Sequence, residues 1–227
     1  MIDPTQNTAM LWTGGKDSAM ALHEAMESGY RIRCLVTFAP PNPDFLAHPL
    51  RLIQLQAQAL ALPHHILPIT APFDKSYEAG LRRLRDEMDI GCVVTVDIAE
   101  VDSNPNWIRE RSRPVGLSVH TPLWGRDRNT LLQQLLDRGF QARFSCVNTR
   151  WLNEDWVGRA LDATAIDELR SIREQTGLDL CGEEGEYHTM VVDGPCFTCG
   201  IDIRSYSKRV SDSLAYMDIH EMGLRDL

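Results

Sequence analysis

Four short apolar runs alternate with stretches of helical spacing over the first hundred residues, and this alternation restricts the fold more than any other feature. The runs are continuous and rich in valine, isoleucine and leucine, as in strands of a sheet buried on both faces. The predicted strands are Ala9–Thr13, Arg33–Ala39, His65–Ile69 and Cys92–Ile98. The predicted helices between them are Ser18–Glu27, Arg51–Ala61 and Tyr77–Met88. Strands and helices in alternation predict an α/β domain with a parallel sheet and right-handed crossovers.

The alternation changes at about residue 120. Two helices are predicted beyond this point, Asn129–Arg138 and Ala165–Gln175, with strands at Phe140–Asn148 and in "EYHTMVVDGP". The last stretch, "SKRVSDSLAYMDIHEMG", alternates enough for one or two antiparallel strands. We therefore expect two domains, residues 1–120 and residues 121–227, of which the second is a smaller α/β domain.

Composition limits the partners that the chain can have. It has 227 residues and a formal net charge of -9, which argues against non-specific binding to a nucleic-acid backbone. No run approaches the roughly 18 apolar residues that a membrane-spanning helix requires, and the polar start "MIDPTQNT" lacks the features of a signal peptide. Three of the six cysteines, Cys34, Cys92 and Cys146, lie in apolar runs and suit a reducing compartment. We therefore expect a cytoplasmic protein with no membrane partner.

The segment "TGGKDS", Thr13–Ser18, joins the first predicted strand to the first helix. Its two glycines allow a ligand to approach the backbone closely, and N–H groups at a helix start bind phosphate oxygens. Lys16 adds a full positive charge, and Thr13 and Ser18 can donate hydroxyl hydrogen bonds. A carboxylate beside phosphates is repelled unless a cation intervenes, so Asp17 predicts Mg²⁺. The alternative is that Asp17 only caps the helix.

A second cluster of polar side chains lies in "CGEEGEYHTMVVDGP", residues 181–195. It contains Glu183, Glu186, Tyr187 and His188 between glycines. Carboxylates can bind a cationic group or act as bases, and tyrosine and histidine supply oriented hydrogen bonds. The cluster indicates a substrate pocket, although a solvated loop followed by a hairpin would have the same composition.

The phosphate loop belongs to neither of the two commonest types. A Walker A loop needs a glycine where Met10 stands and a serine or threonine directly after the lysine, and a dinucleotide fingerprint needs a third glycine. The segment resembles the Ser-Gly-Gly-x-Asp-Ser loop (PP-loop) of the ATP pyrophosphatases, with Thr13 in place of the first serine. Enzymes of that superfamily split ATP into AMP and pyrophosphate.

Further motifs, in order along nearly the whole chain, resemble the diphthine–ammonia ligase family. They are "VDIAEVDSNPNWIRER" at 96–111, "PLWG" at 122–125, "WVGRALD" at 156–162, and Gly-Glu-x-Gly-Glu-Tyr-His-Thr before "DGP". Glu184 and Val96 stand where the family usually has glycine. Because an added carboxylate changes the charge preference of a pocket, these departures leave the acceptor open.

The resemblance implies a nucleotide α-hydrolase-like (Rossmann-like) domain that binds ATP, followed by a substrate-binding domain. It implies a ligase that adenylates a carboxylate, releases pyrophosphate and amidates the carboxylate with ammonium. The family's acceptor is diphthine, a modified histidine of elongation factor 2. ATP and Mg²⁺ are the implied cofactors, with Asp17 as metal ligand. The implied catalytic residues are Lys16, Asp17 and Glu186. The implied nucleotide-binding residues are Thr13, Gly14, Gly15, Lys16, Asp17, Ser18 and Phe38, and the implied acceptor-binding residues are Asp97, Trp124, Glu183, Glu186, Tyr187 and His188.

Other interpretations remain open at this stage. An enzyme with the same loop could adenylate a different acceptor, either a small molecule or RNA. A protein that binds an adenine nucleotide without splitting it would also have the Thr13–Ser18 loop. Cys196 and Cys199 suit a redox pair or part of a metal site, although a zinc site needs four ligands. His48 follows the second strand in a proline-rich loop, where such folds bind ligands. The sequence does not fix the oligomeric state, and a homo-oligomer is left open.

Overall fold

The computed structural model describes residues 6–99 and 106–225. Residues 1–5 of the polar start, and residues 100–105 within "VDIAEVDSNPNWIRER", lie outside the described residues. The chain divides into two units, each drawn from several stretches of the sequence. The first unit comprises Met1–Thr13, Asp17–Pro43 and Leu62–Gly125, and the second comprises Gly14–Lys16, Asp44–Ala61 and Arg126–Leu227.

The first unit contains a parallel sheet of five strands among the described residues, in the order β3-β2-β1-β4-β5. The strands are β1 (Asn7–Leu11), β2 (Arg31–Ala39), β3 (His64–Pro68), β4 (Cys92–Val94) and β5 (Ser118–His120). The helices that accompany this sheet are α1 (Lys16–Glu27), α3 (Phe73–Met88) and α4 (Trp107–Ser112). Because β1 is the central strand and the order reverses beside it, its carboxyl end is the position where doubly wound sheets bind ligands.

The core of the first unit explains why its strands read as continuous apolar runs. Ala9, Val36 and Val93 are buried in neighbouring strands, and Leu81 and Leu84 of α3 pack against them. A parallel sheet is covered on both faces, so alternate residues do not need to be polar. This packed sheet holds the carboxyl ends of its strands at fixed positions along one edge.

The second unit contains an antiparallel sheet with the order β7-β6-β9-β8. Its strands are β6 (Gln141–Asn148), β7 (Tyr187–Asp193), β8 (Ile201–Ser211) and β9 (Leu214–Leu224), and its helices are α2 (Leu50–Ala59), α5 (Arg128–Asp137) and α6 (Ala163–Thr176). The helix α2 lies between β2 and β3 in the sequence, yet it belongs by its contacts to the second unit.

Capping residues set the ends of the two later helices. The Asp127 carboxylate accepts a hydrogen bond from the Thr130 N–H at 2.9 Å, and α5 begins there. Asp162 accepts from the Ala165 N–H at 2.9 Å in the same way and begins α6. That helix ends at Gly177, whose φ of 81° is the left-handed conformation that glycine adopts without strain.

The predicted fold class is confirmed: a parallel α/β sheet is followed by a second α/β region with an antiparallel sheet. The main differences concern element ends. The first strand stops at Leu11 and α1 starts at Lys16, so the connecting loop lies two residues earlier than predicted and has the same length. Helix α4 was missed because its six residues are too few to show helical periodicity. The division at residue 120 stays a prediction.

Among the described residues, no helix has the length and apolar character needed to cross a bilayer.

Candidate functional site

The two hydroxyl residues of the phosphate loop meet in the first unit. The Thr13 and Ser18 hydroxyl oxygens lie 2.8 Å apart, and the Thr13 N–H donates to the Ser18 oxygen at 3.1 Å. The preceding residue is fixed as well, because the Trp12 N–H donates to the Val36 carbonyl at 2.8 Å. Asp17 is half-buried in the first turn of α1. The chain therefore turns sharply from the central strand into α1.

Lys16 contacts several residues of the second unit and is only 4% exposed. Its N–H donates to the Thr189 hydroxyl at 3.1 Å, and its Nζ donates to the Cys181 carbonyl at 2.5 Å. The ammonium also lies 5.4 Å from the centre of the Tyr187 ring, within the range of a cation–π contact. The loop lysine and the Cys181–His188 segment are thus neighbours within the second unit.

Glu186 organises the turn that precedes β7. Its side chain is 1% exposed, and its two carboxylate oxygens accept the N–H groups of Asp179 at 2.8 Å and Glu184 at 3.0 Å. The Asp179 carboxylate in turn accepts the Cys181 N–H at 2.8 Å and pairs with Arg128 at 3.2 Å. These bonds fix the backbone whose carbonyl at Cys181 accepts the Lys16 ammonium. The catalytic role expected for Glu186 stays a prediction.

The remaining acidic and aromatic members of this segment differ in exposure. Glu183, Glu184 and His188 are exposed, whereas Tyr187 is buried and its hydroxyl donates to the Leu180 carbonyl. Glu184, one of the departures from the family pattern, contributes its backbone N–H to the turn and leaves its carboxylate at the surface. The segment therefore combines an ordered backbone with surface carboxylates.

His48 joins this neighbourhood in the second unit. Its Nε2 lies 2.8 Å from the Thr189 carbonyl, and its ring meets the His188 ring edge-on with 5.7 Å between centres. Burial lowers the pKa of His48 to about 4, and the charges of His188 and Lys16 act in the same direction. The ring is therefore neutral near pH 7, with Nε2 protonated so that it donates to the carbonyl.

We expect the lowered pKa of His48 to make the protein less stable in mild acid. Below its ordinary pKa of 6.5 the unfolded histidine binds a proton that the folded one does not take up until about pH 4. Stability therefore falls as the pH drops from about 6.5, by about 2 kcal/mol at pH 5. Urea unfolding at pH 7 and pH 5 measures this loss, and the His48→Gln variant, which keeps a donor, should lose correspondingly less. Equal losses in both proteins would contradict it.

The site residues predicted in the first unit all lie at the carboxyl ends of its strands. Phe38 is near the end of β2, Asp97 follows β4, and Trp124 follows β5. Because the strands are parallel, these ends share one edge of the sheet with the loop after β1. The Gly125 N–H donates to the Ile98 carbonyl at 2.7 Å and holds the turn containing Trp124 next to the residue after Asp97.

The Asp97 carboxylate is bound on this edge by neutral donors. It accepts hydrogen bonds from the Thr95 hydroxyl and, at 2.7 Å, from the Asn106 amide. Phe38 stacks on Tyr77 with 4.1 Å between ring centres. Burial raises the pKa of Tyr77, and the negative charge of Asp97 adds to the effect. The edge therefore offers a stacked aromatic surface and a fixed carboxylate.

Several residues that complete these arrangements were not predicted. Gln56, Thr189 and Asp179 all hold backbone near the loop lysine. Only Gln56 had a sequence signal: it is four residues after Leu52 on the apolar face of α2, where a polar residue is unusual. The Thr189 contact joins residues 173 positions apart and depends on the fold, whereas Asp179 acts within a local turn, two residues before Cys181.

Within residues 6–99 and 106–225, no three His, Cys, Asp or Glu side chains form a group that could hold a metal ion. Cys196 and Cys199, which form no disulfide and are partly buried, are therefore not part of such a group among these residues. Asp17 remains compatible with Mg²⁺, because this ion is commonly held by one or two carboxylates together with substrate phosphates and water.

Two models of known protein families together match nearly all of the chain. The model of the diphthamide synthase N-terminal domain matches residues 6–119, and that of the C-terminal domain matches residues 127–224. The diphthine–ammonia ligases of Bos taurus and Homo sapiens are each 24% identical and align with 96% of this chain and 92% of their own. That of Schizosaccharomyces pombe is 25% identical over 82% of this chain and 34% of its own.

Among the solved structures that match, one has 18% identity and a TM-score of 0.46 over 84% of this chain and 98% of the other. That protein is described as a predicted subunit of tRNA methyltransferase from Methanocaldococcus jannaschii. The resemblance indicated by the motifs is confirmed by the two family models, which follow each other along the chain. The chain belongs to the diphthamide synthase family and is an enzyme of the ligase class.

Proposed function

We propose that the chain is an ATP-dependent amide ligase that forms AMP and pyrophosphate while it amidates a carboxylate. One observation chiefly supports this proposal: in the second unit, Lys16 of the phosphate loop lies against Cys181 and Tyr187 of the acidic segment. A cation suited to binding phosphate therefore lies next to the segment whose carboxylates suit a cationic acceptor. We further propose residues 1–120 as the ATP-binding domain and residues 121–227 as the acceptor-binding domain.

In the first step, an acceptor carboxylate oxygen attacks the α-phosphorus of ATP and the bond to the bridging oxygen breaks. The products are an acyl-adenylate and pyrophosphate. We assign the phosphate contacts to Thr13, Gly14, Gly15 and Ser18, with Phe38 beside the adenine. Lys16, whose ammonium now donates to the Cys181 carbonyl, would transfer that hydrogen bond to a pyrophosphate oxygen and stabilise the charge of the leaving group.

In the second step, ammonia attacks the acyl carbon, loses a proton and displaces AMP. We assign acceptor contacts to Asp97 and Trp124 on the sheet edge and to Glu183, Tyr187 and His188 beside β7, with Glu186 as the catalytic carboxylate. Asp17 would hold Mg²⁺, which when bound neutralises charge on the phosphates. The acceptor class that we favour is diphthine of elongation factor 2, since the curated relatives are named for it.

A second candidate keeps the adenylation and changes the acceptor. It is favoured by Glu184, whose exposed carboxylate stands where the family pattern has glycine. An added negative charge would select an acceptor with a positive group. We also propose a cytoplasmic location, because Cys34, Cys92 and Cys146 are buried as free thiols, which suits a reducing compartment.

The experiment that tests the proposal measures pyrophosphate release with ATP, ammonium and a panel of acceptors. The panel contains elongation factor 2 carrying diphthine and small carboxylates with and without a cationic group. We expect one acceptor to stimulate release, with one amide formed per pyrophosphate. Tight ATP binding without release under any condition would contradict the ligase proposal and indicate a nucleotide sensor.

A further inference from the structure

Gln56 is a fully buried polar side chain in the middle of α2, with 0% exposure. Its amide nitrogen donates two hydrogen bonds of 2.8 Å, one to the Gly14 carbonyl and one to the Val191 carbonyl. Both hydrogens of the side-chain amide are thus committed to backbone oxygens. One of these oxygens belongs to the phosphate loop and the other to β7.

The Gly14 carbonyl is held from two sides. Besides Gln56, it accepts the Val191 N–H at 3.1 Å, so both of its lone pairs have donors. A peptide unit is planar and trans, so its N–H points opposite to its C=O. Fixing the Gly14 carbonyl therefore fixes the direction of the Gly15 N–H, which points away from Gln56 and Val191.

The loop and the glutamine also fit each other sterically. Gly14 has a φ of 86°, a conformation that favours glycine. A Cβ at Gly14 would lie 2.6 Å from the Gln56 Oε1, closer than two such atoms can approach. The absence of a side chain at Gly14 is therefore what allows Gln56 to reach the loop backbone.

We infer that Gln56 is a positioning residue for phosphate binding, acting through the Gly14 carbonyl to aim the Gly15 N–H at the triphosphate. The inference rests on the proposed function, since it requires ATP to bind this loop. Gln56 touches no reacting atom in this scheme. It acts by keeping one loop peptide in the orientation that the ligand needs, which reduces the reorganisation on binding.

The test compares Gln56→Met with Gln58→Met. Methionine keeps the length and volume of the buried side chain and removes both donors, whereas Gln58 is exposed on the same helix. We expect Gln56→Met to weaken ATP binding about tenfold in calorimetry, the effect of one lost buried hydrogen bond. Adenosine, which carries no phosphate, should bind both variants and the wild type equally. A general loss of folding would lower both affinities together.

The outcomes separate this inference from the proposed function. If the wild type binds ATP and Gln56→Met binds it as tightly as Gln58→Met does, the inference is overturned and the ligase proposal stands. If the wild type does not bind ATP, both fail. Should Gln56→Met not fold, NMR of the wild type labelled with ¹⁵N-glutamine decides: ATP, and not adenosine, should shift the Gln56 side-chain amide signals, and unmoved signals would overturn the inference.

Discussion

Replacing Lys16 by alanine is expected to reduce ATP-dependent pyrophosphate release by at least about 100-fold, the usual effect of removing one charge-stabilising donor. The reason is that the ammonium is the cation of the loop and lies in a nearly closed environment, where its charge is poorly screened. Steady-state rates at saturating ATP measure the effect. A variant that keeps the wild-type rate would remove Lys16 from the mechanism.

Two controls are needed because Lys16 also has structural contacts. The substitution removes the hydrogen bond to the Cys181 carbonyl and the contact with the Tyr187 ring, so thermal unfolding must show that the variant is folded. Lys208→Ala is the matched control, since this lysine is exposed on β8 and its ammonium lies 3.8 Å from the Asp155 carboxylate in a surface ion pair. Its activity should equal that of the wild type.

Replacing Glu186 by alanine is expected to lower the free energy of unfolding by about 3 kcal/mol or more. The substitution removes both carboxylate acceptors from the Asp179 and Glu184 N–H groups, and hydrogen bonds to a charged group contribute about 1.5–3 kcal/mol each. Urea unfolding followed by circular dichroism measures the loss. The nearby Glu184→Ala should change stability by no more than about 0.5 kcal/mol, because that side chain is exposed.

The same variant separates two roles for Glu186. A carboxylate that holds the turn should affect stability when it is removed, and Glu186→Gln, which keeps one acceptor oxygen, should recover part of the loss. A carboxylate that acts only as a base would leave stability unchanged in both variants while activity is lost. Unchanged stability of Glu186→Ala would therefore contradict the structural role that its two hydrogen bonds assign.

Short sequence patterns were sufficient to predict most of the fold. Continuous apolar runs such as Arg33–Ala39 predicted the parallel strands, because burial on both faces removes the need for polar alternation. The "TGGKDS" loop was predicted between a strand and a helix because it follows an apolar run and precedes a stretch of helical spacing, and the structure has it at the end of the central strand. Each of these features depends on a few consecutive residues.

Features that join distant parts of the chain could not be predicted. The spacing of α2 indicated a crossover helix of the first sheet, but its contacts belong to the second unit, where Gln56 reaches Gly14 and Val191. Glu186 was interpreted as a catalytic group from its residue type, and its hydrogen bonds to two N–H groups depend on a turn that the sequence does not specify. The roles of the individual site residues remain predictions.

The central claim is that the loop at Thr13–Ser18 binds ATP so that the bond between the α- and β-phosphates is broken. The most direct measurement uses ATP labelled at the α-phosphorus, with the acceptor and ammonium present, and identifies the labelled product. We predict that the label is recovered in AMP, with an equal amount of pyrophosphate. Recovery of the label in ADP, with release of inorganic phosphate, would contradict it.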